Sequence, residues 1–134
     1  MGRVLIIDDD DDARQALGLA VESWGHEVTH APNGPAALSI LSSLKPDIVI
    51  LDLGLPGMDG VEVAELIRKT DGYRAFIIAL TGWIRPFDRE AALRAGCSLY
   101  FNKPADLDEL ERTLDRIMAV SVDGAGASRS RARR

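Results

Sequence analysis

The chain has 134 residues, 46% of them apolar and with a net charge of -5, which is typical of a single soluble domain with one core. No apolar run approaches the roughly 18 residues of a membrane span, and the first run, residues 4–7, ends at acids, so neither membrane segment nor secretory signal is expected. The single cysteine, Cys97, forms no internal disulfide, which favours a reducing, cytoplasmic location.

The charge is distributed unevenly along the chain. Residues 1–120 carry 12 basic and 20 acidic side chains, whereas residues 121–134 carry four arginines and one aspartate. We therefore expect one acidic folded domain over 1–120 and a basic tail over 121–134, rich in Gly, Ala, Ser and Arg, without stable structure. Since an acidic surface repels phosphate backbones, a nucleic-acid partner is not expected.

The amino-terminal third predicts two strands, each followed by a helix. Residues 4–7 form a continuous apolar run typical of a buried strand, and five aspartates follow it. Asp11 or Asp12 is expected to cap the first helix, with Asp10 solvated between strand and helix. Apolar side chains then repeat at helical spacing: Ala13, Ala16, Leu17, Ala20 and Trp24. Residues 26–31 alternate as a second strand, and residues 33–44 form a helix with an early proline.

The rest of the chain continues the alternation of strands and helices. Further strands are predicted at residues 46–52, 75–81 and 98–102. Further helices are predicted at residues 61–70, 88–95 and 105–120. Five strands alternating with five helices predict an α/β fold, a doubly wound parallel sheet covered by helices on both faces.

Polar side chains end four of the predicted strands. They are Asp8, Asp9, Asp52, Thr81, Asn102 and Lys103. Because the carboxyl ends of parallel strands meet at one edge, we expect these residues to come together there. Several carboxylates in one cleft favour a bound cation, and an all-oxygen ligand set suits Mg²⁺. The hydroxyl and the ammonium could each contact an oxygen of a phosphoryl group, and Asp52 is the best candidate to accept that group.

Four motifs carry a resemblance to a known family. In chain order they are "LIIDDD", "PDIVILDLGLPGMDG", "IIALTG" and "YFNKP". Over residues 3–120 the sequence resembles the receiver domain of two-component response regulators, both chemotaxis-regulator-like receivers and those of hybrid histidine kinases. The resemblance implies a flavodoxin-like (βα)5 fold with five parallel strands in the order 2-1-3-4-5.

The resemblance also implies roles for the residues at the strand ends. Asp52 corresponds to the phosphoacceptor of the family, and Lys103 to its lysine. Mg²⁺, with Mn²⁺ as an alternative, would be held by Asp9, Asp52 and the carbonyl of Gly54, with Asp8 acting through a metal-bound water. Gly54 departs from the commonest family pattern because many relatives carry a side chain there.

A conformational switch is implied as well. Thr81 corresponds to the switch threonine and Tyr100 to the aromatic residue that turns inward after phosphorylation, while the bond between Lys103 and Pro104 is expected to be cis. These changes would alter the face made by the fourth helix, the fifth strand and the fifth helix, which an unknown downstream protein reads. The bulky Trp83 would partly shield the acyl phosphate from water.

The expected function is that of a phosphorelay switch, not of a turnover enzyme. The phosphoryl donor would be a histidine kinase or a histidine phosphotransfer protein, and the acyl phosphate would hydrolyse slowly. Three alternatives stay open. A metal-dependent phosphohydrolase would usually require a second acidic residue at the position that Gly54 occupies. A flavodoxin-type carrier would need a phosphate-cradling loop in place of the five aspartates. The third alternative is a binding module that no longer accepts phosphate.

Overall fold

The structure is a computed structural model that describes residues 2–54, 60–71, 74–82, 86–103 and 105–126. Strands and helices alternate along it, as the sequence predicted. The strands are β1 (Arg3–Ile7), β2 (Glu27–Ala31), β3 (Ile48–Asp52), β4 (Phe76–Thr81) and β5 (Leu99–Asn102). The helices are α1 (Asp11–Ser23), α2 (Gly34–Leu44), α3 (Gly60–Asp71), α4 (Pro86–Arg94) and α5 (Leu107–Gly126).

The five strands form one parallel sheet in the order β2-β1-β3-β4-β5. This order confirms the predicted doubly wound, flavodoxin-like fold. The central strand β3 is buried along its whole length, including Asp52 at its carboxyl end. In the register of the sheet, Asp52 lies beside Leu80, and Thr81 lies beside Asn102. The carboxyl ends of β3, β4 and β5 therefore meet at one edge.

Side chains of the strands alternate between two hydrophobic clusters, one on each face of the sheet. On one face, Leu5, Val49 and Ile77 pack with buried residues of α2, α3 and α4. On the other, Ile6 and Ile50 pack with buried residues of α1 and α5. Both faces are covered, which explains why β1, β3 and β4 are nearly continuous apolar runs rather than alternating ones.

The start of α1 differs from the prediction. Asp10 is the N-cap, since its carboxylate accepts a hydrogen bond from the Ala13 amide. The expectation that Asp11 or Asp12 caps the helix is therefore wrong, whereas Asp10 is exposed to solvent as expected.

The apolar stripe predicted for α1 is only partly confirmed. Leu17 and Trp24 pack against the hydrophobic cluster on this face of the sheet. Ala13 is exposed, whereas Arg14 is buried. Small alanines have little apolar surface, and the larger Val21, which is fully buried, decides which face turns inward.

The carboxyl-terminal helix also differs from the prediction. The sequence predicted an end at Val120, but α5 continues to Gly126. The glycines in this segment lower helix propensity by only about 1 kcal/mol each, and propagation from an existing helix is favourable. Residues 127–134 of the predicted tail lie outside the described residues. Among the described helices, α5 included, none is long and apolar enough to cross a membrane.

Gly60 allows α3 to begin directly against the backbone that follows β3. A Cβ atom added at Gly60 would lie 2.5 Å from the Cα of Leu53 and 3.0 Å from the carbonyl oxygen of Asp52. Both neighbours are backbone atoms, which cannot move aside without displacing the end of β3. The glycine thus serves close packing beside Asp52.

We expect Gly60→Ala to lower the free energy of unfolding by about 1–3 kcal/mol, because the added methyl overpacks a backbone contact. Urea denaturation followed by circular dichroism measures this change. Gly82→Ala is the matched control, since nothing lies within 4 Å of a Cβ there, and it should be neutral or slightly stabilising. Equal stabilities of the two variants would contradict the packing argument.

His26 is a buried side chain that links the amino terminus to the end of α1. The Gly2 amide donates a hydrogen bond to its Nδ1 at 3.1 Å, so the neutral ring carries its proton on Nε2. Burial lowers the pKa of His26, although Asp115 opposes the shift. Protonation would place a second donor opposite the Gly2 amide and charge a buried ring.

The unfolded chain therefore binds a proton at His26 more tightly than the folded chain does. The stabilising contribution of neutral His26 is complete above the unfolded pKa of about 6.5 and is lost as the pH falls towards the lower folded pKa. We expect wild-type stability to fall more steeply than that of His26→Gln between about pH 7 and pH 5 in urea titrations. Parallel curves for the two proteins would contradict this prediction.

Candidate functional site

Asp52 lies at the carboxyl end of the central strand β3, where it pairs with Leu80 of β4. Its side chain is buried, its Oδ1 accepts a hydrogen bond from the Gly54 amide at 3.0 Å, and its Oδ2 lies 3.2 Å from the Nζ of Lys103. The next amide, that of Leu53, donates to the carbonyl of Leu80 and extends the β3–β4 ladder. The Asp52 carboxylate is therefore fixed in direction and paired with one cation.

The acidic pair after β1 faces Asp52 across the sheet edge. Asp8 is buried and Asp9 is exposed. The Asp8 amide donates to the carbonyl of Ala31, and its carboxylate accepts a hydrogen bond from the Asp10 amide at 3.0 Å. Together Asp8, Asp9 and Asp52 offer oxygen atoms that all lie within 4.8 Å of one another. The structure thus brings these three carboxylates close together, as the sequence predicted.

Lys103 holds the carboxylates together. Its Nζ lies 3.2 Å from Asp52 and 3.5 Å from Asp8, and its amide donates to the carbonyl of Thr81 at 2.7 Å. Burial alone would lower the pKa of Lys103, but the negative charges of Asp52 and Asp8 outweigh burial and raise it. Burial, reinforced by Asp52, also raises the pKa of Asp8, against the opposing effects of the Asp10 amide and Lys103.

The donor set fits a hard divalent cation. Three carboxylates against one ammonium leave the cluster with excess negative charge, and all three candidate ligand atoms are oxygens, as Mg²⁺ requires. The exposure of Asp9 leaves the cluster open to solvent, which suits an ion that retains several waters. The exposed Gly54 adjoins the cluster through its amide, which donates to Asp52.

The remaining predicted residues lie around this cluster or beside it. Thr81 is buried at the end of β4, and Tyr100 is half-buried on β5 beside Ala79 in register. Pro104 and Trp83 lie outside the described residues, so their predicted roles are neither supported nor contradicted here. Thr81 and Tyr100 therefore stand on neighbouring strands, and Tyr100 packs against the hydrophobic cluster on the face covered by α2, α3 and α4.

One residue at this edge was missed by the sequence reasoning. Arg14 is buried on α1, and its Nη1 donates to the carbonyl of Asp8 at 2.7 Å. Its Nη2 donates to Asp11 at 2.6 Å. The spacing of Asp11 and Arg14, three residues apart at a helix start, is a signal for such a pair. That signal does not reveal the contact with Asp8, which depends on how α1 docks.

Comparison with known proteins identifies the family. The family model of the response regulator receiver domain matches residues 4–115. The chain belongs to the response regulator receiver domain family. It is similar to an uncharacterised 14.6 kDa protein of Leptolyngbya boryana, at 40% identity over 84% of this chain and 87% of that protein. It is also similar to the transcriptional regulatory protein AfsQ1 of Streptomyces coelicolor, at 40% identity over 90% of this chain and 51% of that protein.

Solved receiver structures share this fold. A two-component response regulator from Clostridium difficile matches with a TM-score of 0.84 and 28% identity, over 89% of this chain and 97% of that one. The chemotaxis protein CheY4 of Vibrio cholerae matches with a TM-score of 0.81 and 28% identity, over 87% of this chain and 98% of that one. The predicted resemblance is confirmed.

Membership defines the general role of the receiver. It is a signalling domain of two-component systems, and receiver domains in response regulators are phosphorylated by histidine kinases. The chain spans about half of AfsQ1 and 26% of the regulatory protein AtoC of Escherichia coli. What those longer proteins do beyond their receivers does not carry over to this chain.

Crowding of the carboxylates predicts a cost in stability when no cation is bound. We expect Asp8→Asn to raise the free energy of unfolding in metal-free buffer at pH 7 by about 1 kcal/mol, because it relieves repulsion with Asp52. Urea denaturation in the presence of a chelator measures this. Asp12→Asn, which removes the same charge from an exposed position in the first turn of α1, should not stabilise the receiver, since acids there favour the helix. A stabilisation by Asp12→Asn as large as that by Asp8→Asn would contradict the explanation.

Proposed function

We propose that this receiver is a phosphorelay switch that accepts a phosphoryl group on Asp52. The observation that carries the proposal is the buried Asp52 carboxylate, held by the Gly54 amide and Lys103 beside Asp8 and Asp9. An Asp52 oxygen attacks the phosphorus of a phosphohistidine on a histidine kinase or a phosphotransfer protein. The P–N bond breaks, and its electron pair leaves with the imidazole nitrogen, which takes up a proton.

Lys103 and Thr81 support this transfer as positioned donors. Lys103 pairs with Asp52 before transfer and can pair with a phosphoryl oxygen afterwards, because a flexible ammonium can follow the negative charge. Thr81 offers a hydroxyl from the end of the neighbouring strand. Such donors stabilise the charge that develops on the transferring group.

The acidic cluster is the proposed cation site. Asp8, Asp9 and Asp52, with the carbonyl of Gly54, would hold Mg²⁺ or Mn²⁺. Such a cation would supply positive charge that neutralises the transferring phosphoryl group. The carboxylates of this chain position it, and Lys103 limits their mutual repulsion in its absence. The receiver thus assists its own phosphorylation and slow dephosphorylation without turning over an external substrate.

The second part of the proposed function is a conformational change that follows phosphorylation. Thr81 would move towards the phosphoryl group and Tyr100 would turn inward, changing the surface formed by α4, β5 and α5. The register supports this route, because Ala79 and Thr81 of β4 pair with Tyr100 and Asn102 of β5. A downstream protein would bind this surface.

Phosphorylation can be tested by intact mass after incubation with a small phosphoryl donor such as acetyl phosphate. We expect a gain of one phosphoryl group that requires Mg²⁺ and is abolished in Asp52→Asn, because that change removes the proposed acceptor oxygen. Asp115→Asn, an exposed acid on α5, is the matched control and should be modified like the wild type. Modification of Asp52→Asn to the wild-type level, or none of the wild type, would contradict the proposal.

A further inference from the structure

Arg14 is a permanently charged side chain buried at the start of α1. Only 8% of the residue is exposed. Burying a guanidinium is unfavourable unless hydrogen bonds and an opposite charge compensate it. The contacts that Arg14 makes therefore indicate what its burial achieves.

The guanidinium joins the acidic loop to the helix behind it. Nη1 donates to the carbonyl of Asp8 at 2.7 Å, and Nη2 donates to the carboxylate of Asp11 at 2.6 Å. Nε is buried and finds no acceptor within the part of the chain that the structure describes. Nε is therefore an unsatisfied donor, whereas Nη1 donates to the Asp8 carbonyl. This arrangement indicates that the side chain is not placed merely to satisfy its own donors.

The Asp8 carbonyl belongs to the peptide unit that leads into Asp9. Asp8 is already held on its other side, where its amide donates to Ala31. Asp9 is exposed, so packing does not fix the direction of its side chain. The peptide after Asp9 is held by the Asp10 amide, which donates to the Asp8 carboxylate, and the orientation of the preceding peptide is the other backbone constraint. A rotation of this peptide would turn the Asp9 carboxylate away from Asp8 and Asp52.

We propose that Arg14 is a positioning residue for the cation site: it fixes the peptide between Asp8 and Asp9, and thereby the convergence of the Asp9 carboxylate with Asp52. This inference rests on the proposed function, in which that cluster holds the cation. Arg14 acts through the backbone and does not itself contact the cation or the phosphoryl group.

A purely structural arginine would behave differently, and Arg68 provides the matched comparison. Arg68 on α3 donates to the backbone carbonyls of Gly96 and Ala75, which precede β5 and β4 at the opposite edge of the sheet. Arg68 therefore also links loops through carbonyl groups but lies away from the acidic cluster. Loss of Arg68 should lower stability without affecting cation binding.

The test is calorimetric titration with Mg²⁺ alone on the full chain, together with urea denaturation in metal-free buffer. We expect Arg14→Gln to raise the Kd for Mg²⁺ by about tenfold. Removing a group that orients a metal ligand typically weakens metal binding by about 10- to 100-fold, and our expectation lies at the lower end of that range. Arg14→Lys should give an intermediate Kd, because one ammonium cannot reach both Asp8 and Asp11 as the forked guanidinium does. Arg68→Gln should reduce stability and keep the wild-type Kd.

The outcomes are distinguishable. A wild-type Kd in Arg14→Gln, with a loss of stability like that of Arg68→Gln, would overturn the inference and leave a structural role. Tighter binding in Arg14→Gln would overturn it in favour of simple charge repulsion between Arg14 and Mg²⁺. If Arg14→Gln does not fold, a wild-type Kd in Arg14→Lys overturns the inference equally. No binding by the wild-type receiver would overturn the proposed cation site, and with it this inference.

Discussion

The crowding of three carboxylates around one ammonium is the constraint on which this structure depends. Asp8 and Asp52 are buried, Asp9 stands beside them, and Lys103 lies within 3.5 Å of both buried acids. Like charges at such distances are unfavourable, and a single lysine does not balance them. This excess of negative charge favours added positive charge at the sheet edge, and we expect it to lower the stability of the domain when no cation is bound.

The parallel sheet makes this crowding possible. The strands β1, β3 and β4 are largely apolar on both faces, so their polar residues collect at the strand ends. Four of the five strands lead into polar side chains at the same edge, although these residues are far apart in sequence. The rigid β3 and the close approach of Gly60 hold Asp52 in place, while the exposed Asp9 leaves the cluster accessible.

Backbone groups contribute as much as side chains to the shape of the site. The Gly54 and Asp10 amides orient the carboxylates of Asp52 and Asp8, and the Asp8 carbonyl is in turn held by Arg14. Gly54, which offers no side chain, still supplies an amide to the Asp52 carboxylate.

The sequence by itself determined the order of elements, the strand ends and the acids, hydroxyl and lysine that meet there, because apolar runs and their polar ends are local features. Only the tertiary structure decided how α1 docks. The sequence pattern placed Ala13 in the apolar stripe and assigned no capping role to Asp10, whereas the structure exposes Ala13, buries Arg14 against the Asp8 carbonyl and makes Asp10 the cap. It also decided the end of α5, since composition suggested a tail where the helix continues. Helix rotation and length depend on packing and propagation, which composition alone does not encode.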